Sequence, residues 1–187
     1  MNSCAKILRL LSVTNTQIDQ LCDVLIDCVD GGASISFMLP MTREKAERFW
    51  RDVAASVASN ERVLLVAHSE QGDIVGSVQV VLAQPENQPH RADISKMIVH
   101  RSARKRGIAA ALMVAAEAEA LREGKTVLVL DTASDDAERV YRKLGWQECG
   151  VIPDYALLPG GALCATTFFY KRIAPVQTLN FATAPSP

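Results

Sequence analysis

The sequence has 187 residues, 49% hydrophobic and 22% charged, with a formal net charge of -1. That suits one domain with its own apolar core, and the even charge balance argues against a general binder of nucleic acid or of an anionic membrane. Five cysteines (Cys4, Cys22, Cys28, Cys149 and Cys164) form no C-x-x-C pair, and the three histidines lie near none of them, so neither a disulfide framework nor a metal site is expected.

The cysteines read as reduced, mainly buried thiols of a cytoplasmic protein. Lys6 and Arg9 interrupt the apolar residues after Met1, so no leader peptide is expected, and no stretch is long and apolar enough to span a bilayer. Ile7 to Val13 is predicted to be the first strand. Thr14 or Asn15 caps a helix in which Ile18, Leu21, Cys22, Leu25, Ile26 and Val29 recur at helical spacing. Gly31 and Gly32 end it. Ile35 to Met41 reads as a loop with bulky apolar residues, which either covers core or walls a cleft. Thr42 caps a second helix with a buried stripe of Ala46, Phe49, Trp50, Val53, Ala54 and Val57.

Arg62 to His68 has a continuous apolar centre, as in a strand buried on both faces. Gln71-Gly72-Asp73 turns the chain into a second, antiparallel strand from Ile74 to Leu82. Arg91 to Val99 is the next strand, followed by the basic segment Arg101-Ser-Ala-Arg104-Lys105-Arg106-Gly107 and an alanine-rich helix from Ala110 to Glu123. Thr126 to Asp131 is a buried strand that ends in a carboxylate. Ser134 caps a short helix with Ala137, Val140, Tyr141 and Leu144 on one face. Strands over Trp146 to Ile152 and Leu163 to Tyr170 close the fold.

The order is β-α-α-β-β-β-α-β-α-β-β. It predicts an α/β protein with a mixed, largely antiparallel sheet of about seven strands and helices on both faces. Residues 1–172 are expected to form the single domain, and 173–187, rich in Ala, Thr and Pro without a period, a flexible tail.

Chemistry concentrates where the basic segment meets its helix. A helix N-terminus carries unpaired N–H groups and about half a positive charge. With Arg104, Lys105 and Arg106 beside it, and a glycine that lets a ligand approach the backbone, it suits a pyrophosphate. The bland alternative is a solvated, charged helix start.

The segment Arg104-x-x-Gly107-x-Ala109 resembles the acyl-CoA loop of the GCN5-related N-acetyltransferase (GNAT) superfamily, with Ala109 in place of the commoner second glycine. Ser134-x-x-Ala137-x-x-x-Tyr141-x-x-x-Gly145-Trp146 resembles a second motif of that superfamily, with serine in the usual asparagine position and tryptophan for phenylalanine. The element order is also that of the superfamily, over roughly residues 5–171. Asp30 to Ser34 with Phe37-Met38, Arg91 to Asp93 with Lys96-Met97, and Leu130 to Thr132 resemble its tabtoxin-resistance branch.

The resemblance implies transfer of an acetyl group from acetyl-CoA to a primary amine of a small, amino-acid-like or toxin-like molecule, without a metal. It implies that Arg104, Lys105, Arg106, Gly107, Ile108 and Ala109 hold the pyrophosphate. Arg101 would reach the 3′-phosphate, Met97, Ile98 and Val99 would flank the pantetheine arm, and Ser134 and Ala137 would border the cofactor. Ile98 or Val99 would offer an N–H to the thioester oxygen. Tyr141, a phenol still protonated at neutral pH, would protonate the departing thiolate and touch the cofactor. Asp93 or Asp131 would take up the ammonium form of the substrate and relay its proton. Period-two counting puts Asp93 on one strand face with Ser95, Met97 and Val99.

Two alternatives share the fold: a protein or peptide N-acetyltransferase, and a non-catalytic acyl-CoA-binding regulatory module. The expected partner is a small-molecule amine, not nucleic acid or membrane, for a monomer or homodimer. The residues choose neither the acceptor nor the oligomeric state.

Overall fold

The computed structural model describes residues 5–173. The chain opens with strand β1 (Lys6–Leu10) and helices α1 (Asn15–Asp30) and α2 (Arg43–Ala58). Strands β2 (Arg62–His68), β3 (Ile74–Val81) and β4 (Arg91–Val99) follow, then a 3-10 turn at Arg101–Ala103 and helix α3 (Ile108–Arg122). Strand β5 (Val127–Thr132), helix α4 (Asp135–Lys143) and strands β6 (Gln147–Leu157) and β7 (Leu163–Arg172) complete the described chain. The order is the expected one. The seven strands form one mixed sheet, β1-β2-β3-β4-β5-β7-β6, antiparallel except for the β4–β5 pair.

Alternation along β2 explains its continuous apolar run. Leu64 and Val66 face α1 and α2, where they meet Leu21, Leu25, Val53 and Trp50. Val63, Leu65 and Ala67 face the opposite layer, where α3 contributes Leu112, Met113, Ala116 and Ala120. Thr14 caps α1 through a reciprocal bond with Gln17, and Thr42 caps α2 by accepting from the Lys45 N–H. The alanines of α3 favour helix and let it lie close against the sheet.

Several boundaries differ from expectation. β1 stops at Leu10, and β6 runs five residues beyond Ile152, to Leu157. β5 runs one residue past Asp131, so that carboxylate projects from within the strand. Ile173, placed in the tail by sequence, packs on the core and donates its N–H to Thr126. Residues 174–187 of the tail lie outside the described residues. Cys22 and Cys28 are buried, but Cys149 is exposed and Cys164 half-buried, because both lie on the open β6–β7 hairpin.

The main departure lies in β4. Ser77 of β3 faces Ile98 and Gln79 faces Ser95, so Lys96 and Met97 together oppose Val78. This is a β-bulge, and Lys96 has a φ of 48°. The extra residue reverses the faces. Ala92, Ile94 and Val99 meet the α3 layer, whereas Ile98 meets the α1–α2 layer. Asp93 therefore does not share a face with Met97 and Val99, as uninterrupted alternation predicted. Gly76 accommodates the bulged strand, because a Cβ there would stand 2.9 Å from the Ile98 carbonyl oxygen.

Candidate active site

The parallel β4–β5 pair is short. Arg91, Ala92 and Asp93 face Val127, Leu128 and Val129, and there the pairing ends. β4 continues alongside β3, and β5 continues alongside β7. From Ile94 onward one edge of β4 has no strand neighbour, so its backbone groups are available to an extended ligand. The wedge between the diverging strands is a cavity of about 670 Å³. Its walls are the end of β4, the end of β5, the first turn of α3, the inner face of α4 and the segment Gly31 to Ser36.

At its mouth Gly107 adopts a φ of 78° as the N-cap residue of α3, and no side chain caps the helix. The first-turn N–H groups are thus left open toward the cavity lining. A Cβ at Gly107 would meet nothing within 4 Å, so the space before the helix is clear. Arg104 and Lys105 line the cavity; Arg104 also donates through Nε to the Val99 carbonyl at 3.1 Å, which fixes the loop to the end of β4. This donor set fits a phosphate-bearing ligand.

Deeper in the cavity lie Tyr141, Asp131 and Lys96. Tyr141 is buried against Trp146 and Phe169. Among the described residues its hydroxyl has no hydrogen-bond partner. Burial, with the nearby Asp131 charge, pushes its phenol well above the ordinary range. Burial also raises the Asp131 carboxyl; the Lys96 charge opposes that rise and the Asp93 charge adds to it. Lys96 shows the reverse: burial lowers its ammonium, Asp131 opposes this and Arg62 reinforces it.

All the residues predicted for the site line this cavity except Asp93, Arg101 and Arg106. Asp93 is ion-paired with Arg91 and accepts from Gln84 Nε2 at 3.2 Å, and it reaches the site only as a charge felt by Asp131. Arg101 turns toward α1, where its N–H and Nε both donate to Asp27 at 2.8 Å. Ser134 accepts the Ala137 N–H at 3.4 Å and so caps α4.

Sequence reasoning gave no role to Lys96, Ser36, Arg139 or Lys143, all of which line the cavity. A lysine in the middle of a strand, directly before the apolar run Met97-Ile98-Val99, was the available signal for Lys96. Ser36 comes from the loop read as either core cover or cleft wall. Both readings hold by halves, because Phe37 packs on Phe49 while Ile35 and Ser36 line the cavity. Glu117 and Glu119 on α3 are both engaged. Glu117 accepts from Trp146 and Lys171, and Glu119 pairs with Arg9 and Arg122.

Among the described residues no helix is long and apolar enough to cross a membrane, and no cluster of metal-ligating side chains occurs.

A family model described as the acetyltransferase (GNAT) family matches residues 33–146. An uncharacterized N-acetyltransferase from the hisH-hisA intergenic region of Azospirillum brasilense is 35% identical over 125 residues, 66% of this chain and 72% of that relative. Among solved structures, a phosphinothricin acetyltransferase of Sinorhizobium meliloti, in complex with acetyl-CoA, superposes with a TM-score of 0.77 at 17% identity, covering 98% of this chain and 94% of that one. An N-acetyltransferase of Staphylococcus aureus Mu50 superposes with a TM-score of 0.75 at 16% identity, covering 92% and 100%.

Proposed function

The chain belongs to the GNAT acetyltransferase family, and from that premise we propose that it transfers the acetyl group of acetyl-CoA to a primary amine of a small molecule. The observation that carries this is the wedge where β4 and β5 part, with the uncapped N-terminus of α3 at its mouth. A long anionic thioester needs both features: a strand edge for its arm and open N–H groups for its pyrophosphate.

In this reading the N–H groups of Ile108 and Ala109, with Arg104 and Lys105, bind the pyrophosphate. Gly107 keeps the approach clear. Arg106 adds only to the local positive field. Arg101 is tied to Asp27, so Arg139 and Lys143 on α4 are better placed than Arg101 for a further phosphate. Met97, Ile98 and Val99 flank the arm, and the Ile98 or Val99 N–H stabilises charge on the carbonyl oxygen. Acetyl-CoA supplies the acetyl group already activated as a thioester.

The acceptor amine, with an ordinary pKa of about 10, arrives as ammonium. Asp131 holds that cation and takes its proton, helped by a carboxyl raised above the usual range. Asp93 raises it further without touching substrate. Tyr141 keeps its proton at every physiological pH and is the donor to the leaving thiolate. The Gly31 to Ser36 segment forms one cavity wall, which favours a small acceptor over a folded protein.

Calorimetric titration with acetyl-CoA, followed by thiol release over a panel of small amines, tests this. Micromolar binding with release on a small amine is the expected result. Binding with no release on any of them would overturn the small-molecule reading in favour of a protein substrate or a regulatory module.

A further inference from the structure

Besides Lys105 in the loop before α3, two cavity-lining residues hold the left-handed backbone conformation without being glycine: Lys96, with φ 48°, and Ser36, with φ 75°. Such conformations cost about 1–3 kcal/mol each and persist where the surroundings enforce them. These two touch. The Lys96 ammonium donates to Ser36 Oγ at 3.1 Å, across 60 residues of chain. The same ammonium lies 5.8 Å from the Phe37 ring centre and 5.9 Å from that of Phe49. The bulge thus presents a cation at a fixed place, supported by two aromatic faces and one hydroxyl.

That cation has no carboxylate within ion-pair distance among the described residues, and neither does Asp131 have a cation. Each feels the other's charge, yet they do not close on each other. Arg62 adds a second positive charge near Lys96. A half-buried cation without a counter-ion is costly, and the cost falls when a ligand supplies the anion. A simple alkylamine would satisfy Asp131 but would bring a second positive charge toward Lys96.

We propose that Lys96, with Ser36, is the anion anchor of the acceptor site, so that the acceptor is a small zwitterion carrying an oxyanion within a few bonds of its reacting amine. The ammonium lies on Asp131, and the oxyanion lies on Lys96 Nζ and the Ser36 hydroxyl. This rests on the acetyltransferase reading of the same cavity and adds a specificity-determining residue to it. Lys96 touches substrate on the side away from the bond that forms.

The test compares L-alanine, L-serine and L-methionine, each with its methyl ester and its decarboxylated amine, by thiol release. Esterification lowers the amine pKa and so favours the ester chemically; preference for the free acid must then come from recognition. The wild-type chain is expected to favour free acids by about 10-fold or more in kcat/KM, mainly through KM. Lys96→Met should reduce that preference to within about 3-fold while the acetyl-CoA dissociation constant, measured by calorimetry, stays within about 2-fold. Lys96→Arg should restore part of the preference, because the charge returns.

Equal use of free acids, esters and amines by the wild type would overturn the proposal and leave the small-amine reading standing. Undiminished preference in Lys96→Met would do the same. Failure of every small amine in the wild type, with acetyl-CoA still bound, would overturn the parent reading and this proposal together.

Discussion

The N-termini of α3 and α4 border the same cavity and are built in opposite ways. α3 starts at Gly107, follows Arg104, Lys105 and Arg106, has no side-chain cap and has no acidic residue in its first turn. α4 starts at Ser134, whose hydroxyl takes the Ala137 N–H, and carries Asp135, Asp136 and Glu138 in its first turn. Both helices have the same dipole in kind. In α4 that dipole is answered from within the protein. In α3 it is left for a ligand. The difference teaches that an anion site is decided by what is withheld from a helix end as much as by the residues added. It also divides the labour of the cavity: α3 contributes backbone, and α4 contributes side chains, Tyr141 first among them.

The most direct way to break the contrast is to give α3 the end that α4 has. Gly107→Asp would place a carboxylate cap where the N–H groups are now open, and a side chain at a φ of 78°. Acetyl-CoA affinity is expected to fall about 100-fold or more, equivalent to about 3 kcal/mol. Calorimetry reads the affinity, and circular dichroism shows whether the helix remains. Unchanged affinity in a folded variant would mean that the α3 terminus is not the anion site.

The other half of the contrast is tested at Tyr141. Tyr141→Phe removes a hydroxyl that has no partner among the described residues and leaves the ring contacts with Trp146 and Phe169. The expected loss is about 100-fold in kcat, with acetyl-CoA affinity within about 2-fold. A fall in affinity with kcat preserved would make Tyr141 a binding group and not a proton donor.

Asp131→Asn separates function from stability. Turnover of the amine is expected to fall about 50-fold in kcat/KM. Stability moves the other way. The folded carboxyl is raised, mainly by burial, so the folded state binds this proton more tightly than the unfolded chain does. Below the ordinary carboxylate range the group is protonated in both states and costs nothing; as pH rises through the unfolded and then the raised folded pKa, folding loses stability. The variant should therefore match the wild type in thermal midpoint at acid pH and exceed it at neutral pH. A lower midpoint for the variant at neutral pH would show that Asp131 is held by partners and not strained by burial.

Much of this was legible in the sequence, and what was hidden follows a rule. Helix starts such as Thr14, Thr42 and Ser134 depend on contacts within a few residues, so local pattern finds them. The Arg104 to Ala109 segment was legible for the same reason. The bulge at Lys96 was not, because strand alternation has no sign for one inserted residue, and the slip moved Asp93 off the face of Met97 and Val99. The resemblance implied a phosphate for Arg101. Its fate is set by Asp27, 74 residues earlier in the chain, which no local pattern reports. The same holds for Ser36, which meets Lys96 only after one helix and two strands intervene.

Ser134→Ala gives the smallest expected effect and the sharpest division between the two helix ends. The family motif puts this residue beside the cofactor, whereas its hydroxyl is engaged with the Ala137 N–H at 3.4 Å. If the hydroxyl works as a cap, its loss costs about 1 kcal/mol of stability. In a domain of this size that lowers the thermal midpoint by about 2–4 °C. Acetyl-CoA affinity should then stay within about 2-fold, because the open N–H groups of α3 are untouched. If the hydroxyl instead binds the cofactor, the order reverses: the midpoint holds and affinity falls several-fold. Ser134→Asp distinguishes the cases again. It keeps a capping oxygen and improves the match to the helix dipole, so the midpoint should hold or rise, while an added negative charge on the cavity wall weakens any ligand phosphate lying against it. Loss of affinity in Ser134→Asp but not in Ser134→Ala would show that phosphate passes near the end of α4 without being bound by it.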